Sequence, residues 1–138
     1  FQKIIDDSFF AKTYGQAKLH GRAVLDSVRI LDNRCVYTVV TTDELREYGC
    51  TVKATDGIVD QLRIIEGIEI AFLLYQTGNP DEYKVSLRTN SAVDVSRIAQ
   101  SFGGGGHVKA AGCTMTGEPQ EIVEKISGKI REQWEELK

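Results

Sequence analysis

Ile68-Glu69-Ile70-Ala71-Phe72-Leu73-Leu74-Tyr75, then Thr77-Gly78-Asn79-Pro80-Asp81, then Tyr83-Lys84-Val85-Ser86-Leu87-Arg88: this stretch decides the fold. The first run is apolar almost throughout and reads as the central strand of a sheet. The second is rich in turn formers. The third alternates, with Tyr83, Val85 and Leu87 on one face and Lys84, Ser86 and Arg88 on the other. Two such runs joined by a turn predict an antiparallel hairpin. Arg88 then ends a polar edge that a ligand can reach.

Outward from this hairpin, Cys35-Val36-Tyr37-Thr38-Val39-Val40 is β-branched and aromatic, as a buried strand is. Thr41-Thr42-Asp43-Glu44 offers a capping box for a short helix through Tyr48, closed by Gly49. Ile58, Leu62 and Ile65 predict a helix starting near Thr55 or Asp56 and stopping at Gly67. Asp94 is a good N-cap for a helix over Val95-Ser96-Arg97-Ile98-Ala99-Gln100, and Cys113-Thr114-Met115-Thr116 reads as a last strand. Pro119 followed by Ile122, Ile126, Ile130, Trp134 and Leu137 predicts a long C-terminal helix with one apolar stripe. Near the start, Ile5 and Phe9, and then Val24, Val28 and Leu31, have helical spacing, with Gly15 and Gly21 between the groups. Trp134 and Tyr37 lie on apolar patterns and read as core. His20 reads as a face residue of the leading helix. The expected architecture is α/β (α+β), a single domain with one mixed β-sheet of about five strands flanked by helices.

The 138 residues suffice for one compact unit with one core, and 41% hydrophobic with 27% charged residues is the balance of a soluble globular protein. No apolar window is long enough to span a bilayer. The first residues, Phe1-Gln2-Lys3-Ile4-Ile5-Asp6-Asp7, show neither a starting Met nor a secretion signal, and the chain reads as a piece of a longer protein. A net charge of −3 speaks against gripping long duplexes by bulk electrostatics but allows a short anion at a local site. Cys35, Cys50 and Cys113 are odd in number and without a Cys-x-x-Cys pair, so reduced thiols in a cytoplasmic protein are expected.

The run Phe102-Gly103-Gly104-Gly105-Gly106-His107-Val108-Lys109-Ala110-Ala111-Gly112 carries the chemistry. Four glycines let peptide N–H groups converge on one point, which suits phosphate, and His107 and Lys109 add charge and donors. No Gly-Lys-Ser/Thr follows, so this is not a Walker A loop. A helix precedes the glycines where a dinucleotide fingerprint needs a strand.

This string resembles the signature of the DHH-associated C-terminal domain of DHH phosphoesterases. Val85-Ser86-Leu87-Arg88, Val93-Asp94-Val95-Ser96-Arg97-Ile98-Ala99 and Phe102 extend the likeness, as do Ile68-Glu69-Ile70-Ala71 and the helix from Asp56 to Ile65. Within that family the chain is similar to the bacterial nanoRNase and pAp-phosphatase branch. The resemblance implies that residues 1–30 are a linker helix segment from a preceding DHH domain and that 31–138 form the substrate-binding domain. It also implies that hydrolysis is done by two divalent metals, usually manganese, on that DHH domain. This segment, with His20 and His107 alone and no Asp-His-His string, is expected to hold no metal, no cofactor and no catalytic residue, and to be inactive by itself. Its substrate would be short RNA or a nucleotide. Gly103, Gly104, Gly105 and Gly106 would present backbone donors, His107 a hydrogen bond, and Arg88 a bidentate contact to phosphate. Asn90, Ser91 and Lys109 would add polar contacts. No membrane partner is expected.

Three other readings stay open at this stage. One is a cyclic-dinucleotide phosphodiesterase domain, and another a non-catalytic RNA- or tRNA-binding appendage. The third is a structural domain that forms a homodimer through the terminal helix.

Overall fold

A computed structural model describes residues 12–138. The predicted helical positions Ile5 and Phe9 lie outside the described residues. Six strands form one sheet: β1 (Val28–Ile30), β2 (Cys35–Val40), β3 (Ile70–Gln76), β4 (Glu82–Thr89), β5 (Gly105–His107) and β6 (Ala110–Thr116), in the order β1-β2-β3-β4-β6-β5. All neighbours are antiparallel except β2 and β3, which run parallel, so the sheet is mixed as expected. The helices are α1 (Tyr14–Leu25), α2 (Thr42–Glu47), a 3₁₀ turn (Val52–Thr55), α3 (Ile58–Arg63), α4 (Val95–Ser101) and α5 (Pro119–Glu136). No described helix is long and apolar enough to cross a membrane.

Local sequence explains most boundaries. The Thr41 hydroxyl accepts from Glu44 N and the Glu44 carboxylate accepts from Thr41 N, which is the predicted capping box. The Asp94 carboxylate accepts from Ser96 N and Arg97 N at the start of α4. The Ser96 hydroxyl donates to the same carboxylate at 2.5 Å and holds Asp94 below its usual acidity range. Ile70, Ala71, Phe72, Leu73 and Leu74 are all buried, as a central strand flanked on both faces must be.

Three predictions need correction. Val28 belongs to β1, and Leu31, Asp32 and Asn33 all take positive φ in the turn that follows, so the helical spacing from Val24 ends at Leu25. Asp32-Asn33 tolerates that left-handed backbone and lets β1 fold back on β2. The helix expected from Thr55 to Ile65 is broken instead: Gly57, at φ 89°, separates the 3₁₀ turn from α3, and Ile64 is exposed. His20 is no exposed face residue. It is buried, its Nε2–H donates to Ala54 O at 2.7 Å, and its Nδ1 receives Gln61 Nε2 at 2.6 Å and Lys12 Nζ at 3.1 Å. These partners select the neutral ring, and burial, helped by Lys12, lowers its pKa.

Two cores sandwich the sheet. On one face, Val95, Ile98 and Ala99 of α4 and Ile122, Val123, Ile126 and Ile130 of α5 pack on Phe72, Leu74, Val85 and Leu87. Tyr37 stacks on Phe72 there, with centroids 5.4 Å apart. Trp134 packs against this core, and the Arg34 guanidinium lies 3.7 Å from its ring while pairing with Glu69. On the other face, Leu19 and Ala23 of α1 join Leu45, Ile58, Val59 and Leu62 over Val36, Val40, Ala71 and Leu73.

Candidate phosphate site on the open half of the sheet

The second core contains no residue of β4, β5 or β6. Helices α1 to α3 therefore cover the β2–β3 half of their face, with α3 reaching β4 only at its Arg88 end, and leave the rest of the other half bare. Directly paired positions project to the same side of a sheet, so the register states what that bare half displays. Beside Ala71, Leu73 and Tyr75 of β3 come Arg88, Ser86 and Lys84 of β4. Beside these come Ala110, Gly112 and Thr114 of β6, then His107 and Gly105 of β5. This surface is polar and small, and none of these residues of β4, β5 or β6 is fully buried.

Arg88, Ala110 and His107 stand in one row across three strands. At the usual strand spacing, Arg88 and His107 start about 10 Å apart, with only the Ala110 methyl between them. Both side chains can converge on a group the size of a phosphate. Next to this row lies a concavity of about 390 Å³ lined by Asp60, Arg63, Arg88, Thr89, Asn90, Lys109 and Ala110. Three cations there face a single carboxylate. A second hollow of about 410 Å³ continues over the same face past Ser86, Gly112 and Thr114 to the Gly103-Gly104 turn. A more voluminous hollow, about 640 Å³, sits at the opposite end of β3, and its one charged lining residue, Arg46, is paired with Asp43. Charge, not size, singles out the site at Arg88.

The expected site residues separate into groups. Arg88, Asn90 and Lys109 line the 390 Å³ concavity, and His107 shares its row. Asn90 acts as a strut: its Nδ2 donates to Arg63 O at 2.6 Å and to Ile68 O at 3.3 Å. The Ser91 hydroxyl lies 3.0 Å from that of Thr89 and accepts from Val93 N, within its own turn and away from the lining. Gly103 and Gly104 close α4 as a Schellman motif, Gly103 N donating to Gln100 O at 3.1 Å and Gly104 N to Ala99 O at 2.8 Å. Those two donors are committed to the helix end. Gly105 and Gly106 form the edge strand β5, where every second N–H points away from β6.

Sequence reasoning passed over Arg63 and Asp60. Their i,i+3 spacing was a visible pair signal on a predicted helix. What made them site residues is non-local, because α3 packs on β4 and brings Asp60 Oδ1 to 3.4 Å from Arg88 Nε. Cys113, beside the glycine turn, is buried and its thiol is pushed up to about 11, so it is no nucleophile at neutral pH. Cys35 is pushed up to about 12 by burial.

Among the described residues no group of three His, Cys, Asp or Glu is arranged to hold a metal ion. His20 has both ring nitrogens engaged. These residues do not fit a two-metal centre. The arrangement can bind and orient an anion; it offers no metal cage and no activated nucleophile.

Comparison with known proteins gives the family and the fold. The DHHA1 domain family matches residues 32–135. The bifunctional oligoribonuclease and PAP phosphatase NrnA of Thermus thermophilus is 31% identical over 96 residues, covering 69% of this chain and 29% of that protein. The oligoribonuclease NrnB of Bacillus subtilis is 55% identical over 40 residues, covering 28% of this chain and 10% of that protein. The chain thus spans less than a third of the length of either relative. Among solved structures, an exopolyphosphatase-related protein from Bacteroides fragilis shares the fold with a TM-score of 0.83, at 20% identity, over 95% of this chain and 38% of that one. The pGpG-specific phosphodiesterase PggH of Vibrio cholerae does so with a TM-score of 0.60, at 18% identity, over 84% of this chain and 39% of that one. With three quarters of its length, residues 32–135, matched by one family, the chain belongs to the DHHA1 domain family.

Proposed function

We propose that this domain anchors a phosphate of a nucleotide or short oligonucleotide for a metal-dependent phosphoesterase that degrades very short RNA, dephosphorylates pAp, or does both. The observation that carries this reading is the bare half-sheet, with Arg88 and His107 in one row beside a hollow holding three cations and one carboxylate. A guanidinium and an imidazole flanking an alanine make a shallow seat with donors on two sides. The edge N–H groups of β5 add a third direction. The names of the two curated relatives, an oligoribonuclease with PAP phosphatase activity and an oligoribonuclease, support the substrate class. In this reading a DHH domain of the same protein supplies divalent metal, manganese by resemblance, and performs the hydrolysis in the cytoplasm. This domain's own part is positional. Holding one end of the substrate lowers the entropic share of the barrier by fixing the distance from anchor to scissile bond.

The test is a calorimetric titration of the chain with pAp and with a 5′-phosphorylated dinucleotide. Saturable binding is expected, weakened about tenfold or more in Arg88→Ala and in His107→Ala, the loss typical of one charge-assisted hydrogen bond. Equal affinity in wild type and both variants, or no saturation at millimolar ligand, would contradict the proposal.

A further inference from the structure

Asp60 sits inside the hollow that the proposed function assigns to phosphate. Its Oδ1 is 2.9 Å from Arg63 Nε and 3.4 Å from Arg88 Nε, so one carboxylate oxygen serves two guanidinium groups from different elements. Arg63 is also tied by Nη1 to Asn90 Oδ1 at 3.4 Å, and Arg88 by Nη1 to Leu87 O at 3.0 Å. Arg63 thereby spends its Nε and one Nη on hydrogen bonds, and Arg88 one Nη on a hydrogen bond while its Nε is ion-paired with Asp60. Among the described residues the Nη2 of each, and Lys109 Nζ, have no hydrogen-bond acceptor. Two like charges this close repel unless an anion lies between them, and Asp60 is the one carboxylate in the lining. Its side chain is 46% exposed, so it can swing into water without leaving a buried charge.

We propose that Arg63 is a third phosphate-binding cation beside Arg88 and Lys109, and that Asp60 is an internal counter-anion which a terminal phosphate dianion displaces. The inference rests on the phosphate-anchor reading and adds a specificity to it. A carboxylate shared by two guanidiniums occupies the position a phosphate oxygen would take. It keeps the pair assembled when no ligand is bound, and it makes binding an exchange of one anion for another. A phosphomonoester carrying two charges competes with a single carboxylate better than a singly charged internal diester does. The pocket would therefore select chain ends over chain interiors.

The experiment titrates the chain, at about pH 8 and low salt, with adenosine 5′-monophosphate and with its phosphate methyl ester, which carry about two charges and one respectively. Asp60→Asn keeps the size and an acceptor for Arg63 while removing the charge. It is expected to tighten the monophosphate about tenfold and the methyl ester about threefold, because a charge effect scales with the charge of the ligand. Both gains should shrink in high salt. Arg63→Gln should weaken the monophosphate about tenfold. Equal tightening of the two ligands, no change, or weaker binding in Asp60→Asn overturns the counter-anion role, and unchanged affinity in Arg63→Gln overturns the third cation. These failures are distinct from failure of the anchor itself, which would show as undiminished binding in Arg88→Ala. The thermal midpoint of Asp60→Asn serves as the folding control, since this exposed site is not part of either core.

Discussion

Alanine substitutions through the glycine run separate structure from ligand binding within four residues. A Cβ on Gly104 would sit 2.1 Å from Gly112 O and 2.7 Å from Cys113 Cα. These are atoms of β6, and β6 is paired on both sides, so it cannot retreat. Overpacking of this kind costs about 3 kcal/mol or more when backbone must shift. A Cβ on Gly106 meets Ala111 Cα at 2.6 Å, and its φ of 144° is unsuited to alanine as well. A Cβ on Gly105 meets nothing within 4 Å. For a chain of 138 residues the entropy of unfolding is about 0.3 kcal/mol/K, so 3 kcal/mol lowers the midpoint by about 10 °C. Thermal unfolding followed by circular dichroism should show Gly104→Ala and Gly106→Ala falling by about that amount and Gly105→Ala changing by less than about 2 °C. Gly105 lies on the same face as His107, so its added methyl should still impair phosphate binding while leaving the fold intact. Equal destabilisation by all three alanines, or a stable Gly104→Ala, would refute the packing argument.

Two further predictions address the supports of the site. Because burial lowers the pKa of His20, the unfolded chain takes up that proton first as pH falls below 6.5, and stability should drop from there toward the lower folded value. His20→Gln should flatten that part of the pH profile in urea unfolding; an unchanged slope would rule His20 out as its source. The buried Gln133 side chain of α5 accepts from Asp94 N and donates to Asp94 O, both at 2.8 Å, and Val95 N donates to Val108 O at 3.0 Å. Gln133→Ala should therefore cost about 2–3 kcal/mol in urea unfolding by leaving both backbone groups of Asp94 unpaired, whereas the exposed Gln100→Ala should be close to neutral.

Much of this fold is written locally. The alternation through Tyr83 to Arg88, the Thr41 capping box, the Asp94 cap and the α5 stripe from Ile122 to Trp134 each depend on residues within a few positions of one another, and each stands in the structure as read, whereas Leu137, read as the end of that stripe, lies past the helix and is exposed. The two strands that escaped sequence reasoning are three residues long and exist because a distant partner pairs with them. Val28-Arg29-Ile30 continues a helical spacing and becomes β1 only against β2, while Gly105-Gly106-His107 has no strand propensity and becomes β5 only against β6. The glycine run shows the same division at the site. Its composition suggested an open cradle of four amides, yet Gly103 and Gly104 finish a helix and Gly104 and Gly106 permit close strand contact, reasons visible only once α4, β5 and β6 are placed. Arg88 was legible from its strand parity, whereas Arg63 and Asp60 entered through packing of α3 on β4.

The most direct test of the phosphate-anchor account is an amide-detected NMR titration of the chain with pAp. The account predicts saturable shifts at Arg88, Gly105, Gly106, His107 and Lys109, on the bare half of the sheet, with α5 unmoved. Shifts centred instead on the hollow from Thr42 to Pro80, or none at millimolar pAp, would contradict it.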